Sequence, residues 1–277
     1  MRRSVGLAGW LRIAAVAGSV GALAACASDD TDPEVFVERP ADVIYLEATQ
    51  TLENEEFADA ATLFDEVERQ HPYSPWATRA QLMAAYSHYL DLDYDQAILA
   101  LNRFIRLHPG NEEVDYAYYL RALSYYEQIS DVERDQEMTR RALDALGEVV
   151  TLFPDTDYAR DARLKRDLTL DQLAGQNMTI GRWYLRQGYY QAAINRFNTV
   201  IQDYQTTTHV PEALHRLVEA YVALGLRDQA QAAAAVLGYN YPGSEWYLDS
   251  YALLVDEGIR PVEDDAGFVE RAMDWLF

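Results

Sequence analysis

Small and large apolar residues recur along this chain at fixed offsets, and the pattern itself repeats. One copy reads Gly181, Tyr184, Gly188, Tyr190 and Ala193, followed by Phe197 and Val200. Its second half returns as Ala60, Phe64, Val67, Pro72; as Ala97, Leu101, Phe104, Pro109; as Ala142, Leu146, Val149, Pro154; and as Ala230, Ala234, Leu237, Pro242. Four of the five copies place Pro twelve residues after the Ala, and the copy at Ala193 has Gln205 there. Spacings of three and four put each apolar set on one face of a helix. Small residues let paired helices approach closely, large ones fill the gap to the next pair, and Pro cannot continue a helix, so it closes each unit.

This string resembles the tetratricopeptide repeat, two antiparallel helices that stack into a superhelix. The expected fold is all-α: an α-solenoid of about five tetratricopeptide-like helix pairs. The repeated Ala residues lie 37, 45, 51 and 37 positions apart, against roughly 34 for the plain repeat, so the middle units are expanded. In the third unit, eight extra residues within QISDVERDQ lengthen a loop before Ala142. Between Pro154 and Gly181 the segment DYARDARLKRDLTLDQLAGQNM keeps a helical period with only Gly175 as a breaker, which predicts a long helix in the middle of the chain.

The first 25 residues have another character. Arg2, Arg3 and Arg12 come without an acid, the run Ile13 to Ala22 is small and apolar, and Leu23-Ala24-Ala25-Cys26 follows. That is the layout of a cleavable signal peptide rather than a membrane span. The last four residues resemble the lipobox of bacterial lipoproteins, which implies S-diacylglycerol and an N-acyl group on Cys26. Several acyl chains hold a bilayer durably, at about 0.8 kcal/mol per buried CH2. Ala27 and Ser28, rather than Asp, follow the cysteine; by resemblance to lipoprotein sorting signals this implies the outer membrane, on its periplasmic face. The expected organisation is a signal peptide over 1–25, a flexible tether over 26–39, repeats over 40–252, and a C-terminal tail over 253–277 with a short amphipathic helix.

Composition narrows the partners. Cys26 is the only cysteine, so the fold must be held by its core and not by a disulfide. The formal charge is −22, and removing residues 1–25 leaves 20 basic against 45 acidic residues, or −25. That balance argues against nucleic acid and bare anionic lipid as partners. His71, His88, His108, His209 and His215 are scattered, without metal-ligand spacing, and no Gly-rich phosphate loop is present. No cofactor other than the covalent lipid and no enzymatic activity is expected.

The segments HPYSPWATRAQLMAAYSHY, LNRFIRLHPGNEEVDYAYYLRALSYY and YLRQGYYQAAINRFNTVIQDY, in this order between about Ala41 and Tyr247, resemble the BamD (ComL) family, the repeat lipoproteins of the outer-membrane β-barrel assembly (BAM) machinery. The resemblance implies docking on the barrel-forming subunit BamA, contact with other BAM lipoproteins, and a role in receiving unfolded outer-membrane proteins. Another periplasmic repeat lipoprotein, a cell-wall or pilus-assembly scaffold, would share the anchor and the repeats.

In such repeats the first helix of each pair lines the concave side. Offsets of six and three before, and one and four after, its small residue select Tyr45 around Ala48. They select Arg79, Leu82, Tyr86 and Tyr89 around Ala85, and Tyr116, Tyr119, Leu123 and Tyr126 around Ala122. The expected client groove therefore comprises Tyr45, Arg79, Tyr86, Tyr89, Tyr116, Tyr119 and Tyr126, flat apolar rings with polar tips; packing of the same rings between helices is the competing expectation. The corresponding residues Gly175, Met178, Arg182 and Leu185, then Glu212, His215, Glu219 and Val222, predict a more polar second half. For BamA docking the resemblance points to Arg196, with Arg182 and Arg186 nearby, as carboxylate-binding side chains; an internal ion pair is the alternative. In the tail, Phe268, Ala272 and Trp275 recur at helical spacing, which fits a cap on the last repeat.

Overall fold

The computed structural model describes residues 38–260 and 266–276. The expected signal peptide, Cys26 and the expected tether up to residue 37 lie outside the described residues. Arg39–Phe277 form one compact unit, which among the described residues contains only helices: α1 (Ala41–Glu53), α2 (Phe57–Gln70), α3 (Pro75–Leu90), α4 (Tyr94–Leu107), α5 (Val114–Tyr126), α6 (Glu137–Leu152), α7 (Asp157–Arg186), α8 (Tyr190–Asp203), α9 (Val210–Ala223), α10 (Arg227–Asn240), α11 (Glu245–Asp256) and α12 (Ala266–Leu276). Each helix from α1 to α10 packs on its neighbours in sequence, giving an α-solenoid of five antiparallel pairs with the long helix α7 in the middle. None of these helices is long and apolar enough to cross a membrane.

The repeat pattern is the core. Ala60, Ala97, Ala142, Ala193 and Ala230 on the second helices, and Ala48, Ala85 and Ala122 on the first, are wholly buried. Between them Phe64, Phe104 and Phe197 fill the gap between helices, and burying each such ring contributes about 1.5–3 kcal/mol. At Gly181 the approach is close, because an added Cβ would lie 2.5 Å from the Phe197 ring.

The five second helices end alike. Their C-caps are His71, His108, Phe153, Tyr204 and Tyr241, with φ between −134° and −127° and ψ between 43° and 60°. A following Pro forbids the helical conformation to the residue before it. Tyr204 adopts the same geometry ahead of Gln205, so the aromatic cap shares the work of stopping the chain. Within pairs the turns pass through the left-handed region at Glu55, Leu92, Gly188 and Gly225. At Gly188 this costs little, whereas Leu92 carries a Cβ there.

The insertion of the third unit does not stand free. Gln136 is buried and its Nε2 donates to the carbonyls of Asp131 and Arg134 at 2.9 and 3.0 Å, while Gln172 and Gln176 of α7 donate to Ser130 and Arg134 carbonyls. The loop is thereby laid along α7. Arg39 is also fixed: its N–H donates to Gln70 Oε1 at 2.9 Å.

In the tail, α12 packs on α10 and α8, and Gln202 donates to the Leu276 carbonyl at 3.1 Å. The buried face is Val269, Ala272 and Leu276; Trp275 is half exposed against Tyr221. Of the stripe expected from Phe268, Ala272 and Trp275, Ala272 is buried and Phe268 packs partly buried on the core, whereas the last inward position is taken by Leu276, four residues after Ala272, and not by Trp275.

Candidate functional site

The first helices α1, α3 and α5 and the start of α7 bring a run of tyrosines together. Tyr45 packs edge-on to Phe64 at 5.3 Å and against Trp76 at 4.9 Å. Its hydroxyl is pushed above the ordinary tyrosine value by burial, with the Arg79 guanidinium opposing and the Glu113 carboxylate adding. Tyr45, Arg79 and the turn before α5 thus share one neighbourhood. Tyr86, Tyr89 and Tyr116 flank the core formed by Leu82, Ala85, Leu101 and Phe104. Burial raises Tyr116 strongly, and Tyr86, Tyr158, Tyr89 and Glu113 each add to it, so these groups face one another across α3, α5 and α7.

Tyr158 was not among the residues expected in the groove. Its ring lies 5.5 Å from Tyr116 and stacks on Tyr119 at 5.0 Å. Tyr119 Oη donates to Asp161 Oδ2 at 2.6 Å, and Lys165 Nζ donates to the same oxygen at 2.7 Å. Burial works against the charge on Asp161, but the hydrogen bonds from Lys165 and Tyr119 outweigh it and hold that carboxyl below its ordinary value. Burial first, then the bond to Asp161, raises Tyr119. Lys165 also lies 5.8 Å from the Tyr126 ring. Every one of these tyrosines is half-buried: one face rests on the core while the rest meets solvent. Packing on the core and partial exposure to solvent coexist in each ring.

Beyond Tyr126 a cleft of about 650 Å³ continues along α7, lined by Glu127, Val132, Asp171, Gly175, Arg182 and His209 among others. Thr208 donates its N–H and hydroxyl to Asp171 Oδ1 at 3.3 and 2.9 Å, and His209 Nε2 stands 3.5 Å from Asp171 Oδ2. Arg182 Nη1 donates to both Glu212 oxygens at 3.1 and 3.0 Å, Arg216 joins Glu212 at 3.3 Å, and Arg216 pairs with Glu219 at 2.7 Å. The second half is accordingly more charged. Two residues expected to face its groove are instead in the core: Met178 is fully buried, and His215 is buried with Nδ1 2.8 Å from Ser250 Oγ. Burial pushes His215 below its ordinary value, against the pull of Glu219.

The three arginines considered for docking are not equivalent. Arg182 is spent on Glu212 within the chain. Arg196 is exposed on α8 and donates to Asn177 Oδ1 at 3.2 Å, and Arg186 is exposed at the end of α7. The described residues hold no group of three or more His, Cys, Asp or Glu able to bind a metal ion.

Stacked helix pairs presenting a tyrosine-lined face define a helical-repeat scaffold. The chain belongs to the YfiO outer membrane lipoprotein family, whose profile matches residues 37–237. It is 50% identical over 276 residues to the outer membrane protein assembly factor BamD of Caulobacter vibrioides, covering 99% of this chain and 88% of that relative. It is 49% identical over 215 residues to BamD of Rickettsia prowazekii, covering 78% and 86%, and 35% identical over 243 residues to BamD of Neisseria meningitidis serogroup A, covering 83% and 91%.

Proposed function

We propose that this chain is an outer membrane protein assembly factor, held at the periplasmic face of the outer membrane by lipid on Cys26, that docks on the BamA subunit and receives unfolded outer-membrane proteins in the tyrosine groove. The observation that carries the reading is the contiguous set Tyr45, Tyr86, Tyr89, Tyr116, Tyr119, Tyr126 and Tyr158, each half-buried and so presented without rearrangement. Such rings offer flat apolar area with polar rims at low entropic cost, which suits an extended segment bearing aromatic side chains. The Asp161 and Lys165 pair fixes Tyr119 by hydrogen bonding, and Arg79 places a cation at the other end. Clients are bound, not chemically altered. For docking on BamA we favour Arg196 and Arg186, because Arg182 would have to leave Glu212 first.

A detergent pull-down with the tagged, full-length chain tests this reading. BamA is expected at stoichiometric yield. In the same preparation Tyr86→Ala with Tyr89→Ala is expected to weaken capture of a client peptide from an outer-membrane β-strand at least tenfold, with helicity retained. Recovery of wall or pilus components in place of BamA would replace this reading with the other scaffold class.

A further inference from the structure

Helix α11 begins as α3 does. His71-Pro72-Tyr73-Ser74-Pro75-Trp76 and Tyr241-Pro242-Gly243-Ser244-Glu245-Trp246 share an aromatic C-cap, a Pro, and a Ser N-cap whose Oγ accepts from the Trp N–H at 3.2 Å. Both helices also end alike: a left-handed residue, Leu92 or Gly258, is followed by an N–H bond back to the helix, from Asp93 to His88 and from Ile259 to Leu254. By these marks α11 is the first helix of a sixth pair.

Among the described residues no second helix packs on α11 to complete that pair. The chain after Ile259 is drawn to α10, where Gln231 donates to the Arg260 carbonyl at 2.5 Å, and α12 packs on α10 and α8 without approaching α11. The consequence shows at matched positions. Eight and eleven residues after Ser74, Leu82 and Ala85 are 4% and 0% exposed, joined in one cluster with Ala97, Leu101 and Phe104 of α4. Eight and eleven residues after Ser244, Ala252 is exposed and Val255 is 52% exposed, and Leu248, one turn earlier, is 65% exposed. A terminal repeat in a solenoid ordinarily turns a polar face outward; this one turns an apolar stripe outward. Along one edge of the stripe, at helical spacing, Glu245, Asp249 and Asp256 are exposed, and none forms an ion pair with a described residue. Helices α11 and α12 also lie beyond residue 237, where the family match ends.

We propose that the open face of α11 is a docking site for one amphipathic helix of another protein, with an apolar stripe on Leu248, Ala252 and Val255 and an arginine or lysine edge against Glu245, Asp249 and Asp256. The bound helix stands where the second helix of a sixth pair would stand. This site is separate from the tyrosine groove and is independent of the client reading.

The test uses the full chain in detergent and two labelled synthetic helices that share a Leu and Ala stripe, one flanked by Arg and one by Glu, with binding followed by fluorescence anisotropy. The Arg-flanked helix is expected to bind, the Glu-flanked helix to bind at least tenfold more weakly, and added salt to reduce the difference. Val255→Asp and, separately, Ala252→Arg are each expected to lower affinity tenfold or more, while Leu99→Asp on α4 leaves it unchanged. Circular dichroism of each variant establishes that it is folded. Binding that ignores both variants, or no binding at all, overturns the proposal. So does a concentration-dependent dimer that Val255→Asp abolishes, which would assign the face to a second copy of this chain.

Discussion

At single residues, the chemistry of the groove is set by where protons sit. Tyr116 and Tyr119 hold theirs more tightly in the fold than in the unfolded chain, where the ordinary value is 10.0. A folded-state value above the unfolded one gives stability that is complete below the unfolded value and declines as pH rises beyond it. Asp161 has the opposite sign: its value is lowered, so its contribution is present above the ordinary carboxylate range and fades in acid. Tyr119→Phe removes the hydrogen bond to Asp161 and one alkaline-titrating group together. The expected result is a loss of about 1 kcal/mol near neutral pH and a shallower decline above about pH 10, both read from urea denaturation across a pH series. If the alkaline slope is unchanged, Tyr119 is not the group responsible.

At the level of elements, α7 holds a paired test of helix packing. Gly175 and Gly181 share one helix, yet an added Cβ at Gly181 would meet Phe197 at 2.5 Å, while at Gly175 it would sit 3.4 Å from His209 Nε2. Ala in place of Gly gains roughly 0.5–1 kcal/mol in a helix interior, so Gly175→Ala is expected to raise stability by up to that amount. Gly181→Ala is expected to lower it by about 1–3 kcal/mol through overpacking, a difference of sign that thermal melts of the two variants resolve. The same helix shows how far sequence reasoning reaches. Its length and Gly181 could be read from spacing, because small-residue stripes and helix-closing prolines are local signals. Tyr158, Asp161 and Lys165 could not, since they lie upstream of the repeat pattern that begins at Gly181 and reach the groove only because α7 is long enough to run back past α5. The aromatic residue eleven positions after each repeated Ala was visible in every copy, at His71, His108, Phe153, Tyr204 and Tyr241, four of them followed by Pro, but its role needs the cap geometry. For Arg182 the sequence left docking and an internal ion pair open, and it could not point to the acid that the fold supplies, because Glu212 is 30 residues away, in another pair.

Across the compact unit from Arg39 onward, the core is not evenly distributed. One continuous cluster of buried residues runs from Ala174 to Leu276 and joins α7 to α12, whereas the amino-terminal pairs divide theirs into three smaller clusters, around Phe64, around Phe104 and around Leu146. In a solenoid each pair is stabilised by its own packing and by its interfaces with neighbours, so stability follows that distribution rather than spreading over the whole. The tyrosines of the proposed client groove stand on the divided half, and the face proposed for a partner helix stands on the continuous half. A surface that must accept many unfolded segments gains from local adjustment, while a fixed docking face gains from rigidity. Hydrogen exchange should therefore show amides of α2, α4 and α6 opening at lower free energy than those of α8 and α10, and urea unfolding should depart from a two-state curve, with the amino-terminal pairs lost first. Uniform protection along the chain would mean that the long helix α7 couples the two halves into one cooperative unit, and that the groove is presented rigid.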